Sequence, residues 1–467
     1  MSKKQVYTKT ELFSSVPVPK ALLTMAVPTI ISQIINLIYN MVDAFFIGRT
    51  GNSYMMAATS ITLTMVMMNV ALSNLFGIGG GSLVARLMGT GENKKAREVS
   101  SFSFYGAVCV SLIYATLVGI FLNPLLRFLG ASDATIGYAH SYALIVIVIG
   151  CLPSVLSMAA AHLLRNAGFS SQASIGLSMG GILNVILDPL FMFVILPKGQ
   201  EVTGAAVATT ISNFISCAYL IFAYRKAASE APLSMNLKEA RALDLPHIRN
   251  VMSVGIPSAI LLALFDLANI CVNILAAGHN DLVLAGIGIV MKVERLPNAV
   301  NIGICQGMLP IVAFNYSAKN HSRLKETIRT ARTAGLAISF LCILLFELFA
   351  NPTARIFLST SADSETALRT IAYASVFLRI RCLASPVQLI NYHTSYCMQA
   401  MGKGKETLLH AFVRELVFYI PFMFLLDHLF MEKGLAAALP IGEGCAALFA
   451  LYLLHRSLPG QEYILEK

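Results

Sequence analysis

Long apolar runs separated by short polar stretches recur from residue 20 to residue 455 of this chain. A helix needs ~20 predominantly apolar residues to cross the hydrocarbon of a bilayer. Twelve runs of about that size or longer can be marked out, at 20–48, 54–87, 99–123, 136–165, 172–197, 203–224, 250–277, 282–315, 330–350, 366–400, 406–427 and 434–455. The pattern therefore predicts an all-α polytopic membrane protein with twelve transmembrane helices.

The runs also repeat. Ala26-Val27-Pro28, near the start of the first, resembles Gly255-Ile256-Pro257 near the start of the seventh, and Asn123-Pro124 after the third matches Asn351-Pro352 after the ninth. The polar loop 91–98 resembles 318–325, and Arg165-Asn166-Ala167-Gly168 resembles Gln399-Ala400-Met401-Gly402. Any one match is weak, but four in order at an offset near 230 residues mark two related halves. Six spans per half make both halves start on the same side. The predicted architecture is two pseudo-symmetric six-helix bundles, parallel repeats related by an axis along the membrane normal, around a central cavity. The expected divisions are an N-terminal lobe at 1–224, a cytoplasmic linker at 225–249 and a C-terminal lobe at 250–467.

Composition agrees with that reading. Hydrophobic residues make up 56% of the 467 residues and charged residues only 12%, against about 25% charged in ordinary soluble domains. Lys and Arg gather on one side of the predicted spans. Lys3, Lys4, Lys94, Lys95, Arg97, Lys238, Arg241, Lys319, Arg323, Lys325 and Lys467 fall on that side, whereas the opposite loops hold Arg49, Arg127, Lys198, Arg355, Arg369 and Lys433. Because basic residues accumulate in cytoplasmic loops, both termini are expected inside the cell membrane. The net charge of +10 then belongs to loops beside an anionic leaflet, and nucleic acid is not an expected partner. The polar opening stretch before the first span gives no sign of a cleavable signal. The nine cysteines show no CxxC spacing, and P-loop, HExxH and GxSxG motifs are absent. Neither an enzyme nor a cofactor is expected.

Candidate chemistry lies inside the membrane. In the first span Thr29, Gln33, Asn36, Asn40 and Asp43 are spaced by four, three, four and three, which makes one polar stripe on a helix. Polar amides between membrane helices often only hold a bundle together. A carboxylate there is costly and usually marks an ion or substrate path, so Asp43 is the leading functional candidate. In the fifth span Asn184 and Asp188 share a helix face and can converge on one small ion or proton. Pro189 removes a backbone N–H beside that acid and predicts a local kink, and Pro28 offers the same in the first span.

The stretches PTIISQIINLIYNMVDAFFIGRTG, MGTGENKKAREV, LLRNAG and ILNVILDPLF resemble the corresponding segments of MATE (multidrug and toxic compound extrusion) transporters. The resemblance covers nearly the whole chain, and it implies two six-helix bundles forming a V-shaped cavity. It further implies export of amphipathic, often cationic, organic compounds driven by inward H⁺ or Na⁺. In the branch this chain resembles most, Asp43 and Asp188 match the first-lobe acids, with Asn184 beside them and Thr209 as the sixth-helix threonine. Asn36 and Tyr39 match cavity-lining positions, and Pro28 matches the proline about which the first helix bends. Gln33, Asn40 and Asp266 are added here as cavity candidates. Na⁺ at Asp43, Asn184 and Asp188 is the only metal ion expected, and a monomer is the expected functional unit.

One departure from the family pattern concerns the second lobe. Relatives with a cation site there carry a Glu in the seventh helix and an Asp in the tenth. This chain has Asp266 one residue beyond the first position, and Ser385-Pro386-Val387-Gln388 supplies no acid at the second. Lys292, Glu294 and Arg295 either pair among themselves or line the cavity, and Arg379, Arg381, Arg414 and Glu415 remain without a role. Met25, Met41, Met65, Met67 and Met68 offer thioethers that adapt to irregular ligands, or pack against neighbouring helices. Carboxylates removed from water favour the neutral form, and two together titrate as a coupled pair. Ion entry would loosen a cationic substrate and favour the other orientation, provided that ion and substrate bind the two states differently. A lipid-linked oligosaccharide flippase of the same superfamily, which needs cationic residues for a pyrophosphate, and an uncoupled channel or receptor are the alternatives.

Overall fold

The computed structural model describes residues 8–356 and 365–459. Lys3, Lys4 and Lys467, counted above with the inner charges, lie outside them. Every regular element among the described residues is helical. Among the described residues nine helices are long and apolar enough to cross a membrane, and the pair Ile136–Ile149 and Cys151–Asn166, bent by 49° at Gly150, makes up the fourth span, which the sequence pattern presents as one helix. The helix Gly404–Ser457 doubles back at Met431, whose φ of 54° is left-handed. A Cβ on Gly442 would lie 2.9 Å from the Cα of Tyr419, so the eleventh and twelfth spans are antiparallel neighbours. The tenth span, expected as one run at 366–400, is instead broken into Glu365–Cys382 and Ser385–Ala400. The break falls at Leu383-Ala384, and Pro386 stands in the first turn of the second piece. Twelve crossings result.

The two halves share irregularities as well as helices. The fourth and tenth spans are both broken midway, and the fifth and eleventh both contain a π-helical turn, at Phe191–Ile195 and Val413–Tyr419. Local signals set several helix ends. Asn52 accepts from Tyr54 N at 2.9 Å and starts the second span, which ends 38 residues later at Gly91 with φ of 81°. Asn280 accepts from Val283 N at 2.9 Å, which caps the eighth span directly after the seventh. Each bundle has its own apolar interior, Val84, Val155, Leu163 and Leu220 in one, Ile287, Val290, Phe377 and Met423 in the other.

The bundles meet through the first and eighth spans and the second and seventh. Glycine makes the approach close. A Cβ on Gly255 would sit 1.9 Å from Leu75 O, one on Gly79 would sit 2.4 Å from Val251 O, and one on Gly307 would sit 2.6 Å from Ala26 Cα. Gly77, Gly80 and Gly81 beside Gly79 likewise press against neighbouring helices, at His162, Ser103 and Asn166. The seam residues Gly79, Gly255 and Gly307 lie in the parts of their helices nearer the basic loops. Gly255→Ala is expected to pry the seam apart. Spin labels at positions 94 and 405, each in the first turn of a helix at the basic end, should then show a longer and broader distance by pulsed electron resonance. An unchanged distribution would mean that the seam tolerates a methyl group.

Two segments tie the basic end together. The short helix Lys9–Ser14 is capped by Thr8, with a reciprocal bond from Thr8 N to Glu11 at 2.8 Å. It buries Phe13, whose carbonyl accepts from Arg323 Nε at 2.7 Å and Asn315 Nδ2 at 3.0 Å in the second bundle, while Lys9 lies 4.4 Å over the Phe169 ring in the first. The linker between the bundles docks on the third span, where Ser101 donates to Asn236 O at 2.7 Å and Tyr105 to Met235 O at 2.9 Å.

Candidate functional site

The fifth span, Ser170–Ile195, carries Asn184 and Asp188 one turn apart and both buried. Asn184 Nδ2 donates to Asp188 Oδ1 at 3.2 Å and to Thr209 Oγ1 of the sixth span at 3.0 Å. Pro189 cannot bond back to Val185, and the π-helical turn starts two residues later, so the helix changes pitch directly beside the acid. Opposite stands the first span, Val18–Arg49, where Pro28 lies inside an uninterrupted helix. Tyr39 rests against Gly181, where a Cβ would come within 3.2 Å of its ring. One turn further on, Asp43 is half-buried, and its charge acts on Asp188.

The site has more acceptors than donors. Asp43 Oδ1, Asn184 Oδ1 and Asp188 Oδ2 are all buried without a hydrogen-bond partner among the described residues. Neighbouring carboxylates repel, and a proton or a monovalent cation removes the repulsion. An all-oxygen set of two carboxylates, an amide carbonyl and a hydroxyl suits a hard cation. It does not make a multidentate centre for a transition metal, since the described residues contain no group of three His, Cys, Asp or Glu at metal-binding distance. Na⁺ fits the donors Asp43, Asn184, Asp188 and Thr209, and protons fit the two acids equally well.

Other polar positions of the first span divide among different tasks. Thr29 is fully buried against Ser170, 3.0 Å from its hydroxyl. Gln33 crosses the seam to Gln306 at 3.3 Å, and Gln306 in turn reaches Tyr396 at 3.3 Å. Asn36 is half-buried and Asn40, which bonds back to Asn36 O at 2.6 Å, is exposed. Asp266 belongs to the second bundle, half-buried in the field of Arg295 and away from the first-bundle acids. Met25 and Met65 are packed inside the protein, so the adaptable surface is left to Met41, Met67 and Met68.

Pairing among the eighth-span charges is corrected by the structure. Glu294 faces inward and binds Arg381 through two bonds of 2.8 and 2.9 Å, while Lys292 and Arg295 are exposed. Positions one or two apart on a helix do not face each other, which is why the local pairing fails. Arg414 likewise bonds chiefly to Glu443, at 2.6 to 3.2 Å, with Glu415 at 3.5 Å. Tyr142 of the fourth span also lies in the field of both first-bundle acids, beside Tyr39. Nothing in its apolar surroundings marks it in the sequence.

With this geometry in hand, the chain can be set beside known proteins. The MatE family model matches residues 28–190 and again 257–425, once per bundle. The multidrug export protein MepA of Staphylococcus haemolyticus is 28% identical over 437 residues, covering 93% of each chain. MepA of Staphylococcus aureus strain MRSA252 is 27% identical over 455 residues, 97% of this chain and 96% of its own. Among solved structures, a MATE crystallised with MaL6 superposes with a TM-score of 0.90 at 21% identity, over 97% of this chain and 98% of that one. A MOP superfamily transporter from Pyrococcus furiosus superposes with a TM-score of 0.89 at 20% identity and the same coverage. Two bundles, each matched by the family model, twelve crossings and relatives spanning almost the full length lead to one conclusion: the chain belongs to the MatE family of multi-pass membrane proteins.

Proposed function

We propose that this protein is a secondary active multidrug exporter, moving amphipathic and mainly cationic organic compounds out of the cell in exchange for H⁺ or Na⁺ by alternating access. The observation that carries this reading is the buried set of unpartnered oxygens on Asp43, Asn184 and Asp188. Such a set is stabilised by a small cation and competes for the same negative charge that attracts a cationic substrate. Asn40, Tyr39 and Asn36 continue from that set along the first span, and Gln33 with Gln306 stands where the bundles meet. The names of the MepA relatives support multidrug export.

The flippase alternative asks for a cationic cavity, and of its candidate cations Lys292, Arg295, Arg379 and Arg381 two are engaged elsewhere. Arg381 is neutralised by Glu294, and Arg379 lies 3.9 Å from Glu347. In proteoliposomes, an imposed pH or Na⁺ gradient should drive a fluorescent cationic dye against its own gradient. If neither ion moves any member of a broad cation panel with folded protein, the antiport reading fails.

A further inference from the structure

We propose that the buried cluster around Arg414 is a second proton-binding site, in the C-terminal bundle, with Glu415 as the residue that takes up and releases the proton. Charge counting gives the first reason. Arg414 is 1% exposed, Glu443 2% and Glu415 3%, so two carboxylates share one guanidinium out of water. Glu443 takes most of that charge, accepting from Nε at 3.0 Å and Nη2 at 2.6 Å, and its Oε2 also accepts from Asn391 at 2.6 Å. Glu415 keeps only a 3.5 Å approach to Nε, and its Oε2 is buried with no partner among the described residues. A buried charge left without compensation is strongly destabilising, whereas a carboxylic acid at that position carries none.

Every neighbour of the cluster leaves the proton to Glu415. Tyr392 of the tenth span puts its ring 4.8 Å from the Arg414 guanidinium. His410 on the same helix is spoken for, bonding Asn391 Oδ1 at 3.1 Å and Ser395 at 2.9 Å, and reaches the carboxylates only through Asn391. Tyr419, on the eleventh span with Arg414, is engaged by Arg381 of the closed Glu294–Arg381 pair. The guanidinium disfavours a metal cation, so a proton is the ligand that fits.

The repeat gives the second reason. The loops at 165–168 and 399–402 are offset by 234 residues (399 against 165), and the same offset carries Thr209 to Glu443. The fifth and sixth spans, which hold Asn184, Asp188 and Thr209, have the eleventh and twelfth as counterparts, and the eleventh also carries a π-helical turn, set nearer its start than the one in the fifth, with Arg414 and Glu415 inside it. Each bundle thus keeps its titratable group between the same two helices.

Its transport consequence rests on the antiport proposed above, so the test separates the two. The readout is the protonated-carboxyl stretch in pH-titrated difference infrared spectra of the purified protein in lipid, with Asp43→Asn/Asp188→Asn silencing the first bundle. A carboxyl band should remain at neutral pH in that background, disappear on adding Glu415→Gln, and shift rather than vanish with Glu415→Asp. Glu415→Gln should melt near the background protein, since an amide mimics the neutral acid, while Glu443→Gln strands Arg414 and should melt well below it. In proteoliposomes Glu415→Gln should move fewer protons per dye. A band unaffected by Glu415→Gln, or equal melting losses for both variants, would place the charge on an ionised Glu415 and overturn the proposal. A wild type that pumps nothing would remove the antiport while leaving the infrared result intact.

Discussion

Asp43→Asn and Asp188→Asn should each reduce gradient-driven dye transport to the level of protein-free vesicles while leaving the protein folded. Asparagine keeps the shape of aspartate and loses the exchangeable proton and the charge that a cation binds. Coupling depends on ion and substrate differing in their affinity for the two orientations, and removal of the ion's ligand leaves no such difference. Melting temperature should hold or rise. A carboxylate within the membrane costs about 2.5–3.5 kcal/mol on insertion scales, and neither acid repays that by a salt bridge: among the described residues Asp43 Oδ1 and Asp188 Oδ2 have no partner. Thr209→Ala should have a smaller effect, since Asn184 retains Asp188 as a hydrogen-bond acceptor. Dye accumulation and thermal melting, measured on the same preparations, distinguish lost coupling from lost folding.

Arg381→Met is expected to have the largest effect on stability. It removes both bonds to Glu294, at 2.8 and 2.9 Å, and leaves that carboxylate 9% exposed and facing the bundle interior. Removal of one partner from a buried pair costs roughly 3–5 kcal/mol, whereas replacement of both by apolar groups is often neutral. The double variant Glu294→Leu/Arg381→Met should therefore recover most of the melting temperature that the single variant loses. Failure to recover would mean that the pair also positions Tyr419, which packs beside Arg381.

How much of this was legible in the sequence varies with the kind of signal. Spans showed clearly because crossing a bilayer imposes length and apolarity on every helix, and the repeat showed because loops such as 165–168 and 399–402 keep their turn residues. The candidate site was legible where an acid stood alone in apolar surroundings, as Asp43 and Asp188 do, and the four-residue spacing of Asn184 and Asp188 placed them together. Tyr142 was not, since an aromatic residue in a membrane helix looks like packing. The charge pairs of the second bundle were not legible for a related reason. Glu294 with Arg381, and Arg414 with Glu443, join residues 87 and 29 positions apart, and only the fold brings them into contact. Breaks in the fourth and tenth spans were also hidden, because Gly150 and Leu383-Ala384 interrupt the helices without interrupting the apolar pattern.

The central claim is that a small cation and a cationic substrate compete through Asp43, Asn184 and Asp188. The most direct measurement is ion release on substrate binding, read with a pH indicator in weakly buffered solution and with radioactive Na⁺ in parallel, on purified wild type and Asp43→Asn/Asp188→Asn. The account predicts that saturating dye displaces bound H⁺ or Na⁺ from the wild type and none from the double variant. Dye binding to the wild type with no release of either ion would contradict it.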